Sequence, residues 1–104
     1  MIHNDEATLV TLTASGATVT KHETDVFCGR KSVGFREFYA AIQAGLNPTY
    51  IFEMDVDEYE SACITDSTTQ ARSIPTELLY RGARYNIIRT YEPTDGTIEV
   101  TVGL

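Results

Sequence analysis

Five carboxylates crowd one short stretch of this 104-residue chain, Glu53, Asp55, Asp57, Glu58 and Glu60. Carboxylate oxygens suit hard divalent cations, but the stretch lacks the glycine and the ligand spacing of a calcium loop, and a solvated face is the simpler reading. His3, His22, Cys28 and Cys63 are zinc-ligand types, yet neither the histidines nor the cysteines stand at ligand spacing. The two cysteines read as free thiols. A nucleophile would need His22 as its base, and no Gly-x-Ser-x-Gly elbow presents a serine to it. Gly29, Gly34 and Gly45 are too widely spaced for a phosphate loop. The expectation is therefore a chain with no catalytic, cofactor-binding or metal-binding residues. Tyr80, Tyr85 and Tyr91 alternate with Arg81, Arg84 and Arg89, as in platforms that stack single-stranded bases. Core packing and contacts between subunits explain that pattern better in an acidic chain. Arg89 falls between Ile87 and Tyr91 on one strand face, where a charge calls for a carboxylate partner or a subunit boundary.

The elements that must position these residues are mainly strands. One helix is predicted over about 35–45, with Phe35, Phe38 and Ile42 at helical spacing, Glu37 in its first turn, and Gly45 with Asn47-Pro48 as its stop. From Tyr50 the period becomes two, with Tyr50, Phe52, Met54 and Val56 on one face. Before the helix, 8–13 and 18–20 flank the Ser15-Gly16 turn signal as a first hairpin. Val26, Cys28 and Val33 mark a further strand leading into the helix, Gly29 a bulge or close-packing point, and 1–6 a flexible N-terminus. After the acidic stretch, 64–77 reads as a long surface loop without periodicity, either mobile or used for contact. A hairpin about Gly82-Ala83 and a last strand with Ile98, Val100 and Val102 inward complete the chain. The fold class is a small antiparallel β-barrel with one short helix, in a single domain over 1–104.

A hydrophobic content of 42% with 22% charged residues is ordinary for a globular chain. The net charge is −7 and the pI about 4.6. That balance opposes gripping a phosphate backbone, although it suits a wall that DNA slides past. The apolar runs fall far short of a membrane span of roughly 20 residues, and the N-terminus has no signal-peptide pattern, so the chain is expected in a cytosol.

Two segments, KSVGFREFYAAIQAGLNPTYIFEM and YRGARYNIIRTYEPTDGTIEV, together resemble the head closure, or head–tail joining, proteins of long-tailed bacteriophages. Lys31, Ser32, Val33, Glu37, Phe38, Tyr39, Gly45, Leu46 and Pro48 carry the first part of that resemblance. Gly82, Tyr85, Ile87 or Ile88, Arg89, Thr90 and Tyr91 carry the second. The chain departs from the pattern at Gly34, where a hydroxyl cap is usual, and over about Ile64 to Glu77, which looks like an insertion after Glu58-Tyr59. The resemblance implies a non-enzymatic β-barrel subunit of the virion neck, made in the host cytoplasm. Such a subunit assembles with itself as a ring of six or twelve copies under the portal and adaptor proteins, closes the channel, meets the tail-end protein and lets DNA pass without reading its sequence. It implies no membrane partner. The contact residues expected are Asp66, Ser67, Thr68, Thr69, Gln70 and Arg72 of the long loop, and Arg89. A tail-end ring protein, or a barrel that binds single-stranded nucleic acid or a small ligand, is the alternative.

Overall fold

The computed structural model describes residues 5–31, 48–94 and 96–103. Its elements are β1 (Asp5–Ser15), β2 (Thr18–Lys31), β3 (Pro48–Asp55), α1 (Val56–Ala62), β4 (Ile64–Thr65), β5 (Arg72–Ser73), β6 (Glu77–Tyr80), β7 (Ala83–Thr94) and β8 (Thr97–Gly103). Two antiparallel meanders, β1-β2-β3 and β6-β7-β8, join edge to edge. β3 pairs with β8 and β1 with β6, which closes a six-stranded barrel in the order β1-β2-β3-β8-β7-β6. Closure follows from period-two sequence: Ala7 and Leu9, Val26 and Cys28, Phe52 and Met54, Leu78 and Tyr80, and Ile98, Val100 and Val102 all enter one core.

The two ends of the barrel differ. Phe52 and Tyr80 meet edge to face at 4.9 Å, Tyr50 and Tyr85 at 5.7 Å, and the Arg30 guanidinium lies 4.9 Å from the Tyr50 ring centre. Arg30 ends β2, Tyr50 begins β3, Tyr80 ends β6 and Tyr85 begins β7, so alternating strand direction gathers them at one mouth. α1 crosses the other end. The Val56 N–H donates to the Gly96 carbonyl in the β7–β8 turn at 2.9 Å, Tyr59 and Ala62 join the core, and the Thr11 hydroxyl donates to the Ala62 carbonyl at 2.6 Å. A helix this short has little stability of its own, and its N-cap Asp55 makes no side-chain capping bond. Tertiary contacts hold it.

The turns show where sequence chemistry was decisive. Tyr80 pairs with Ala83, so the β6–β7 turn is Arg81-Gly82, one residue earlier than the sequence suggests. Both turn residues have positive φ, 49° and 80°, which is the I′ geometry that matches strand twist. Other differences have physical causes. β1 begins at Asp5, which pairs with Cys28, so residues 5 and 6 are strand rather than flexible terminus. The polar run Lys21 to Asp25 does not break the chain; β2 runs through it with Lys21, Glu23 and Asp25 exposed on one face and His22 and Thr24 half-buried on the other. Gly29 pairs in unbroken register with Glu53 and makes no bulge. Val56 leaves the strand face and starts α1. The helix expected over 35–45 lies outside the described residues, as do Val33 and residues 1–4.

Candidate contact surface

The segment expected as a long loop carries its own small scaffold. Ile64 pairs with Ser73 and Thr65 with Arg72, and the turn between them is tied by Asp66. Its Oδ1 accepts from the Thr68 N–H at 2.7 Å and the Thr69 N–H at 3.1 Å, while its backbone bonds Ala71 and Gln70. These backbone donors hold the Asp66 carboxyl below the usual aspartate range. The Thr69 hydroxyl accepts from the Ala71 N–H and the Gln70 amide donates to the Ser67 carbonyl, both at 3.2 Å. Gln70 takes φ 61°, the bend that lets the chain return. Serine, threonine and aspartate thus satisfy the backbone where apolar side chains are lacking. Residues 64–73 form a hydrogen-bonded surface turn on a two-stranded base.

Arg72 fixes this turn to α1. Its Nη2 donates to Glu60 at 2.5 Å and approaches the Cys63 sulfur at 3.4 Å. Those two groups, the sulfur first, raise the Arg72 pKa. The turn lies against the projecting end of the β1–β2 hairpin. Between them runs a groove of about 380 Å³, lined by Thr13, His22, Ile64, Asp66, Thr69 and Ser73 among others. His22 bonds the Thr13 hydroxyl at 2.9 Å within it. The hairpin end also carries exposed Leu12 and Val19 on one face. Sequence reasoning passed over this arm because its polar alternation resembles any exposed strand.

Asp66, Ser67, Thr68, Thr69, Gln70 and Arg72 are therefore brought together on one exposed turn. Arg89 is not part of it; it stands on the barrel wall. Ile87 pairs with Val102 and Arg89 with Thr101, so Ile88 is an extra residue that breaks the alternation. Val102 and Thr101 face opposite sides of β8, which places Arg89 on the outer face with Tyr91 and away from Ile87. The expectation that Ile87 and Arg89 share a face is thereby corrected.

The other side chains with chemical capacity are dispersed. Tyr80 and Tyr85 pack in or against the core, whereas Tyr91 is exposed on the outer wall, so the three tyrosines form no stacking platform. Cys28 is fully buried, and burial, with the Asp5 and Glu58 charges, pushes its thiol up to about 11. Glu53 and Asp55 stand on β3, Asp57 and Glu58 occupy the first turn of α1, and Glu60 pairs with Arg72. Among the described residues, no three His, Cys, Asp or Glu side chains converge as metal ligands. What the arrangement offers chemically is hydrogen-bonding and ionic contact across a preformed surface. No protein-family model matches this chain, and comparison with curated proteins gives no match.

Proposed function

We propose that this protein is a structural subunit of a phage neck, of the head closure type, that assembles as a ring beneath the portal and adaptor and closes the channel after DNA packaging. The observation that carries the proposal is that the described part of the first resembling segment, Lys31 and β3, shares one wall of the barrel with the second. β3 ends the first segment, β7 belongs to the second, and the two flank the same strand, β8. Strands far apart in sequence thus form one wall, which offers a single surface to a neighbouring subunit. The net charge of −7 fits a channel component that DNA must pass without adhesion, because like charge repels phosphate at close range. The ordered turn at 64–73 supplies a preformed surface for docking a neighbour with little ordering cost.

The test is deletion of the coding sequence from the phage genome that carries it, with electron microscopy of the lysate. DNA-filled and leaking heads beside complete, unattached tails are the expected result. Normal virions would refute the proposal. Tubes of irregular length with closed heads would instead favour a tail-end ring protein. A salt-sensitive shift of labelled oligonucleotides by the purified protein would favour the nucleic-acid-binding barrel.

A further inference from the structure

Among the described residues, β2 is fully paired on one side only. Its register with β1 runs from Asp5–Cys28 to Ser15–Thr18 without a shift, but β3 pairs only with Gly29, Arg30 and Lys31. Among the described residues, Thr18 to Cys28 has no strand partner on the second side. A two-residue turn makes Ser15 and Thr18 the bonded closing pair. The N–H and C=O groups of Val19, Lys21, Glu23, Asp25 and Phe27 therefore point away from β1. The edge carries neither a bulge nor a proline, two of the devices that discourage strand addition. The side chains of the same five residues share the outer face, where Val19 is 64% and Phe27 52% exposed.

We infer that this edge pairs with a second copy of the chain, β2 against β2, antiparallel about a two-fold axis at Glu23. In that register Lys21 faces the second copy's Asp25, Val19 faces its Phe27, and symmetry repeats both matches. On the inner face His22 meets Thr24 and Thr20 meets Val26. All five outward-pointing backbone positions find bonded partners. The Val19–Phe27 match selects the register: moving the axis to His22 still pairs Lys21 with an acid, Glu23, but sets Val19 against Asp25 and leaves Phe27 outside the ladder, and moving it to Thr24 sets Glu23 against Asp25. The one unfavourable contact is Glu23 against its own copy. A two-fold contact closes at two copies, whereas a ring needs head-to-tail contacts. The dimer is thus a form of the free subunit that covers the edge before assembly, and it stands independently of the neck role.

Sedimentation equilibrium of the full chain, from micromolar to high micromolar concentration, tests this. A reversible monomer–dimer equilibrium is expected. Lys21→Asp sets acid against acid at both symmetric pairs and should weaken the dimer at least about tenfold, while Lys21→Asp with Asp25→Lys should restore it to within about threefold. Glu23→Gln should tighten it. Asp25 also accepts from the Thr8 hydroxyl at 2.7 Å, so thermal midpoints of all variants are compared to keep folding separate from pairing. Should the charge variants fold poorly, Glu23→Pro removes an outward donor without touching the β1 ladder and should abolish the dimer. A monomer throughout the range, a dimer indifferent to Lys21→Asp, or assembly beyond two copies would each overturn the inference.

Discussion

Thr11→Val isolates the contact on which the α1 end of the barrel depends. Thr11 is 1% exposed and its hydroxyl donates to the Ala62 carbonyl, the last residue of α1, which is also 1% exposed. Valine keeps the shape and removes the donor. The stranded carbonyl costs about 1–3 kcal/mol, and the added methyl recovers up to about 0.8 kcal/mol, leaving a net loss centred on about 1 kcal/mol. For a domain of this size that lowers the thermal midpoint by about 4–8 °C. Urea denaturation should show a lower midpoint at unchanged slope, since the surface exposed on unfolding is the same. Thr8→Val, which removes an exposed bond to Asp25, serves as the control and should change little. Equal effects of the two substitutions, or a loss from Thr11→Val below about 0.3 kcal/mol, would refute the claim that tertiary contacts hold this helix.

Four further outcomes follow from the same geometry. Phe52→Ala empties the centre of the core and should cost about 3–5 kcal/mol in urea denaturation; a loss near 1 would mean that the barrel collapses around the gap. Cys28 ionises near 9 when unfolded and near 11 when folded, so its contribution is whole below pH 9 and declines as pH rises, by about 2–3 kcal/mol at pH 11. Cys28→Ala should flatten that decline, and an unchanged alkaline slope would contradict the assignment. Asp66→Ala should speed amide exchange at Thr68 and Thr69 while Asp66→Asn, which keeps an acceptor, should not. In the native protein the same amides should loosen only as pH falls through the lowered Asp66 pKa. Arg81 sits at φ 49° but makes an exposed ion pair with Asp5 and a cation–π contact 5.0 Å from the Tyr80 ring centre, so Arg81→Asn, which eases the backbone and loses both, should leave stability within about 0.5 kcal/mol, and a larger drop in thermal midpoint would show those contacts matter more.

The barrel was legible because its walls alternate strictly. Phe52 and Met54, or Ile98, Val100 and Val102, announce their inner face one residue at a time. α1 was harder to see. Val56, Tyr59 and Cys63 follow helical spacing, yet Val56 also extends the alternation of β3, and four acidic residues in 55–60 mimic a solvated strand. The surface turn was located by composition, but its order was invisible: side-chain bonds such as Asp66 to Thr68 leave no periodic trace. Arg89 was misplaced for one reason, the extra residue at Ile88, since a bulge reverses every facing assignment after it and has no sequence signature here. The β2 edge emerged only with the topology, because nothing in a strand's own residues says where its second neighbour ends.

The barrel's seams are unequal in a way that bears on how it forms and opens. β1 and β2 share a ladder eleven residues long, built from neighbours in sequence, whereas the β1–β6 seam holds three paired residues, Thr8 to Val10 with Leu79 to Glu77. Joining those partners must close a long chain loop for few bonds, so each meander should acquire its pairing early and the seam should be zipped last. With the equally short β2–β3 ladder, that seam is one of the two thinnest lines of the finished barrel, and of the two it joins segments farther apart in sequence. Opening it would leave both hairpin ladders intact while releasing Leu9 from Leu78, so local opening along this line costs fewer paired residues than opening the β1–β2 ladder.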